Sequence, residues 1–317
     1  MPGIRNLWSA YRRDIRDARA RIASGSRVVE TPCGPLEYAV AGDGPTAILV
    51  AHGAGGGFDQ GLDAAAPLVQ RDFRVIAPSR FGYLRTPLPL DASPAAQADA
   101  YACLLDALNI HKVVVIGVSA GGPSAMQFVL RHPTRTTALV LLVPLAYPAQ
   151  IEPRRGGAMP RRMPTATKWL FDAALSSDFL FWAALRLAPR VMTQAVLGTL
   201  PGVLQSAGPE EQARVRMVRD HILPISPRRL GLLNDRTIAP FLPRYELERI
   251  AVPTLIIAVA DCLYGTYEGA RYSAEHIPGA RFVSFASGGH LWAGHHMEVI
   301  AEIGTFLERN TLRAKAG

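Results

Sequence analysis

The feature that most constrains this chain is an apolar run that ends on a glycine-flanked serine and continues as a helix. Lys112-Val113-Val114-Val115-Ile116 leads directly into Gly117-Val118-Ser119-Ala120-Gly121-Gly122, and Gly122–His132 follows with helical spacing. A bare Gly-x-Ser-x-Gly arises by chance about 0.1 times in a chain of this composition, so its setting carries the weight. At a tight strand-to-helix turn the serine is held in a strained conformation with its hydroxyl above the sheet. The glycines keep side chains out of the neighbouring strand and helix. The bland alternative is a serine that merely caps the helix.

The flanking pattern predicts an α/β architecture. Arg27–Glu30 and Leu36–Val40 surround the turn Thr31-Pro32-Cys33-Gly34-Pro35 and predict a hairpin. Ala47–Ala51, Arg74–Ala77, Val113–Gly117 and Leu139–Val143 are apolar with little alternation, as strands covered on both faces must be. Helical stretches at Ala64–Gln70, Pro94–Leu108 and Gly122–His132 separate them, which predicts a mostly parallel, doubly wound sheet. The alternation resumes with Thr254–Ala260, Gly265–His276, Arg281–Phe285 and His295–Leu312. From Pro144 to Ile250 no strand is evident. This Pro- and Arg-rich stretch, with Trp169, Phe171, Phe179, Phe181, Trp182 and Phe241, predicts short helices inserted as a cap over residues 145–249. Residues 27–144 and 250–317 then make one core.

The first 26 residues stand apart. Ile4, Leu7, Trp8, Tyr11, Ile15 and Ile22 recur near helical spacing among Arg5, Arg12, Arg13, Arg16 and Arg19, an amphipathic helix with a basic face. Such a helix either packs on the domain or makes peripheral contact with an anionic membrane through residues 1–24. The start lacks the uninterrupted apolar stretch of a signal peptide, and prolines break the longest apolar run well before the roughly 18 residues of a membrane span.

Charge decides little. The net +8 comes almost wholly from scattered arginines, with lysines only at 112, 168 and 315, and no nucleic-acid recognition motif accompanies them. Cys33, Cys103 and Cys262 are far apart and odd in number, which argues against a disulfide framework or zinc site and points to a reducing, cytoplasmic setting.

A serine hydroxyl needs a base. His290, in Ser287-Gly288-Gly289-His290-Leu291, follows the last strand on a glycine-rich loop and is the candidate; His295, His296, His276, His132 and His111 sit at helix ends or connections, and His221 lies in the cap. The imidazole in turn needs a carboxylate. Asp261 directly follows the strand Leu255–Ala260, at its carboxyl end where such groups gather, whereas Glu268 falls within a helix. His52-Gly53-Ala54-Gly55-Gly56-Gly57, after another strand, supplies the backbone amides of Ala54 and Ala120 as an oxyanion hole, with Gly55 as the alternative. The loop lacks GxGxxG spacing and a GK[ST] ending, so it is not read as a nucleotide site.

Taken together, the HG-rich loop, the GxSxGG turn, the post-strand aspartate and the GGH loop resemble the α/β-hydrolase superfamily over about residues 27–144 and 250–312. Pro78-Ser79-Arg80-Phe81-Gly82-Tyr83-Leu84-Arg85-Thr86 and Gly265-Thr266 resemble its lid-bearing esterases, lactonases and carbon–carbon-bond hydrolases. The resemblance implies Ser119–His290–Asp261 acyl transfer on a small, largely apolar ester or lactone without metal or cofactor. It also implies a pocket lined by Phe81 and Tyr83. Phe58 and Asp59 after the glycines depart from the proline usual in carbon–carbon-bond hydrolases, and serine replaces the aspartate of dehalogenases and epoxide hydrolases. A carbon–carbon-bond hydrolase of diketone-type substrates, peroxide interception of the acyl-enzyme and a non-catalytic ligand receptor are the alternatives. The arginines at 154, 155, 161 and 162 read as a solvated loop or an attractor for acidic substrate. Oligomeric state is not encoded legibly.

Overall fold

The computed structural model describes residues 4–147 and 175–316. Trp169, Phe171 and the four arginines just named lie outside the described residues. Eight strands form one sheet: β1 (Arg27–Val29), β2 (Leu36–Ala41), β3 (Thr46–Ala51), β4 (Phe73–Pro78), β5 (Val113–Val118), β6 (Thr136–Leu142), β7 (Thr254–Val259) and β8 (Arg281–Phe285). Their order is β1-β2-β4-β3-β5-β6-β7-β8. The β1–β2 and β2–β4 pairs are antiparallel, and every later neighbour is parallel.

Period-two side-chain alternation divides the apolar strands between two cores. Leu49, Ala51, Val113, Val115, Leu139 and Leu141 pack against helices α3 (Pro94–Ala107) and α4 (Gly122–Arg131). Ile48, Val50, Val114, Ile116, Val140 and Leu142 face α2 (Phe58–Val69) and the last helix, whose Val299, Ile303 and Leu307 are buried. Ser93 caps α3 by accepting the Ala96 amide at 3.2 Å, with Pro94 in the first turn where its missing N–H costs nothing.

Between β6 and β7 the described residues form no strand. They fold as α5 (Asp178–Leu187), α6 (Pro189–Leu197), α7 (Pro201–Ser206), α8 (Pro209–Asp220) and α9 (Arg229–Ile238). The helices after β7 and β8 are α10 (Thr266–His276) and α11 (His296–Ala316). The N-terminal α1 (Ile4–Ser24) joins the inserted helices in a third core: Ile15 and Ala18 are buried with Phe181, Trp182 and Leu185, and Tyr11 meets Phe179 and Trp182 edge-on. The Ile15, Ala18 and Tyr11 part of its apolar face is therefore covered by this chain, while Trp8 stays 44% exposed. Arg21 donates to the carbonyls of His221 and Leu223 at 3.0 and 2.7 Å, and Arg19 pairs with Asp178 at 3.1 Å.

Two buried ion pairs tie the inserted helices to the sheet. Arg228, fully buried, grips Asp59 of α2 with both terminal nitrogens at 3.1 and 2.7 Å. Arg80, after β4, grips Asp235 of α9 in the same way at 2.8 and 2.6 Å. Burial opposes the charge on Asp59, but Arg228 and then Arg21 hold its carboxyl below the usual range.

The cysteine expectation needs correction. Cys33 and Cys103 are joined as a disulfide, with Cα atoms 6.2 Å apart, because the hairpin turn folds back against α3. Separation along the chain says nothing about such a contact. Cys262 is free and buried. No helix among the described residues is long and apolar enough to cross a membrane, and none of their His, Cys, Asp and Glu side chains cluster as a metal site.

Candidate active site

The turn after β5 is built as its glycines require. Ser119 adopts φ +50°, a left-handed conformation uncommon for a residue with a side chain, and its strain is held by close packing on both flanks. A Cβ at position 121 would lie 2.1 Å from the Ala51 carbonyl oxygen, and one at 117 would lie 2.6 Å from the Ala125 methyl. Only glycine lets the turn sit this close to β3 and α4.

His290 comes from the loop after β8, where Gly288 and Gly289 take φ of +135° and +62°. Its Nε2 lies 2.8 Å from Ser119 Oγ. Its amide donates to the carbonyl of Gly198, between α6 and α7, at 3.3 Å, and the Tyr264 ring stands edge-on to the imidazole at 4.7 Å. Burial pushes the imidazole down to about 4, so it is neutral across the physiological range.

The structure does not bring Asp261 to that ring. Its carboxylate accepts the amides of Gly289 at 2.7 Å and Gly288 at 3.3 Å, shaping the loop that carries His290. Nδ1 instead faces Cys262 Sγ at 3.2 Å, and Thr266 Oγ1 donates to the same sulfur at 3.2 Å. The chain turns sharply after β7, so the two adjacent side chains diverge, one to the backbone and one to the ring. The sequence signal for this arrangement is a cysteine immediately beside that aspartate.

On the glycine-rich loop, Gly53 donates its amide to Gln60 Oε1 at 2.9 Å and Gly56 to the Gly53 carbonyl at 3.3 Å. The Gly55 amide is taken by Tyr83 Oη at 3.3 Å, whose hydroxyl donates onward to Asp235 at 2.6 Å. No protein acceptor among the described residues takes the Ala54 amide. His52 braces the loop from beneath: its Nε2 accepts the Arg80 amide at 2.9 Å, and burial, reinforced by Arg80, keeps the ring neutral.

Phe81 and Tyr83 are corrections too. Both are buried, and neither borders the cavity above Ser119; Tyr83 is a brace behind the loop and Phe81 packs in the α3/α4 core. His221 pairs with Asp63 at 2.6 Å instead of with Ser119.

Above Ser119, Ala120, Ala54, Gly55 and His290 opens a cavity of about 500 Å³. Leu175, Phe181, Val196, Met217, Ile225 and Leu232 supply much of its apolar wall. Charged groups at its margin are engaged: Asp63 with His221, Arg214 with Glu211 and the Leu291 carbonyl, Asp235 with Arg80. A hydroxyl beside a neutral imidazole, under an apolar chamber, is equipped for nucleophilic attack on an electrophile of modest polarity.

Comparison with known proteins agrees with this architecture. The family model described as alpha/beta hydrolase fold matches residues 46–292. An uncharacterized hydrolase of Bacillus subtilis (strain 168), YcgS, is 32% identical over 283 residues, covering 86% of this chain and 94% of that protein. A 2-hydroxy-6-oxononadienedioate/2-hydroxy-6-oxononatrienedioate hydrolase of Paraburkholderia xenovorans (strain LB400) is 36% identical over 115 residues, 34% of this chain and 39% of that protein. Among solved structures, an alpha/beta hydrolase fold protein from Nakamurella multipartita superposes with a TM-score of 0.68 at 26% identity, covering 89% of this chain and 99% of that one. The family match spans β3 to β8, the serine turn and the histidine loop, and the chain belongs to the alpha/beta hydrolase fold family.

Proposed function

We propose that this protein is a serine hydrolase cleaving a carboxylic ester or lactone of a small, largely apolar substrate through an acyl-enzyme. The observation that carries this reading is the 2.8 Å contact between Ser119 Oγ and His290 Nε2 on the floor of an apolar cavity. Ser119 attacks the carbonyl carbon while its proton passes to Nε2, and the resulting oxyanion takes the amides of Ala54 and Ala120. Gly55 is set aside as a donor because its amide already serves Tyr83. His290 then returns the proton to the leaving oxygen, and water repeats the sequence on the acyl-enzyme.

The ester reading is favoured over carbon–carbon cleavage by charge. The Paraburkholderia relative acts, by its name, on a dioate. A doubly anionic substrate needs cations to replace its water, yet of the two arginines that line the cavity, Arg214 is committed to Glu211 and the Leu291 carbonyl and Arg236 also has a partner within the protein. An uncharged acyl group fits these walls without that cost.

Hydrolysis of a p-nitrophenyl ester series by the wild type and Ser119→Ala, with a phosphonate probe read by mass spectrometry, tests the proposal. Turnover and labelling should both vanish with Ser119, a loss of roughly 10³-fold or more. Labelling without ester turnover would transfer the assignment to carbon–carbon substrates. Neither signal from folded wild type would leave a ligand receptor on this scaffold.

A further inference from the structure

We infer that Cys262 is the positioning residue for His290, its sulfur occupying the place behind the imidazole where a serine hydrolase needs a hydrogen-bond acceptor. The inference rests on the Ser119–His290 chemistry proposed above. To act as base toward Ser119 Oγ, Nε2 must be the bare nitrogen of a neutral ring, so Nδ1 carries the hydrogen. That hydrogen has Cys262 Sγ in front of it at 3.2 Å. The sulfur is itself fixed: Thr266, buried at the start of α10, donates its hydroxyl to it at 3.2 Å, and Cys262 is only 7% exposed. The row Thr266–Cys262–His290–Ser119 is therefore continuous, each member within hydrogen-bond reach of the next.

A third member of such a row does two things. It selects the tautomer and holds the ring plane, and it offsets the positive charge that develops on the imidazole in the transition state. A thiol retains the first role, as a weak acceptor, and brings no formal charge to the second. The one carboxylate in the neighbouring position, Asp261, spends its lone pairs on the Gly288 and Gly289 amides. Burial, unopposed by any anion, accounts for the lowered basicity of His290. Tautomer selection without charge compensation is thus written into the residue choice at 262.

The test uses full-length Cys262→Ala, Cys262→Ser and Cys262→Asp, comparing kcat, KM and the rate of Ser119 phosphonylation across the acid limb of the pH profile. Cys262→Ala should lower kcat and the labelling rate by about tenfold with KM little changed, and Cys262→Ser, which restores an acceptor, should recover part of that loss. Cys262→Asp should raise the labelling rate by about tenfold or more and move the acid limb upward from about pH 4, because a carboxylate opposite Nδ1 favours the charged ring. A folded Cys262→Ala with wild-type kcat and an unmoved limb would overturn the inference. If the buried aspartate prevents folding, the Ala and Ser pair still decides it, with thermal melting as the check on fold. Failure of the wild type to label at Ser119 would instead sink the serine-hydrolase reading itself.

Discussion

Tyr83, on the sheet side, donates its hydroxyl to Asp235 of the inserted helix α9 at 2.6 Å while accepting the Gly55 amide at 3.3 Å. One phenol thus links a carboxylate of the inserted helices to the loop that borders Ser119. Burial, together with that carboxylate, raises the Tyr83 hydroxyl well above its usual range, so it remains a donor. Gly231 lets α9 approach so closely that a Cβ there would stand 2.1 Å from the Tyr83 ring.

Removing that hydroxyl should loosen the loop without unfolding the protein, since Asp235 keeps Arg80. Tyr83→Phe is expected to cost about 1–3 kcal/mol, the penalty for stranding a buried amide, and to lower kcat several-fold more than it raises KM. Thermal melts with steady-state kinetics provide the check; wild-type kcat in a destabilised variant would remove the loop from the catalytic account.

The second ion pair is structural. Arg228 has no exposed surface, and without it Asp59 keeps the Gln60 amide at 3.0 Å and a single, longer cationic contact to Arg21 at 3.4 Å. Arg228→Ala should destabilise the fold by about 3–5 kcal/mol, the usual penalty for removing one partner of a buried ion pair. Denaturant unfolding that gave less than about 1 kcal/mol would show that Asp59 finds water instead.

Acid should weaken the fold in a defined window. His290 binds its proton at about 4 when folded, against about 6.5 in an unfolded chain. The unfolded state therefore binds more protons between those values. Stability from this group is complete above about pH 6.5 and declines by about 3 kcal/mol as the pH falls to about 4, with His52 adding in the same direction. In the proposed mechanism activity requires neutral His290 and should hold nearly constant from about pH 5.5 to about pH 8 while the protein stays folded. An activity midpoint near 6.5 would mean that the ring is solvated or paired with an anion in solution.

Helix α1 covers the inserted helices, so a chain lacking residues 1–24 should melt lower and expose Trp182. Loss of the Ile15 side chain's burial alone accounts for about 2 kcal/mol. Intrinsic fluorescence should shift to the red. Because Ile15, Ala18 and Tyr11 are already spent on the inserted helices, both chains should float equally with anionic vesicles; selective flotation of the intact chain would assign α1, with its exposed Trp8, to a membrane surface.

The parts legible from sequence were those written in local chemistry. A continuous apolar strand, a serine between glycines and a histidine after paired glycines each prescribe their own backbone path. The position of Ser119 and its meeting with His290 across 171 residues followed from the two motifs and their places after strands. Tertiary structure decided what depends on direction rather than location. Whether Asp261 or Cys262 faces the imidazole turns on one residue's rotation beyond β7, and no periodicity reports that. Tyr83 and Phe81 look like pocket residues until Asp235 arrives from 152 positions away to bury the phenol's hydroxyl. Cys33 and Cys103 look isolated until a hairpin closes over α3. Backbone propensity acts over a few residues, so the chain states it plainly; side-chain partnership is set by long-range packing, and only the folded protein states that.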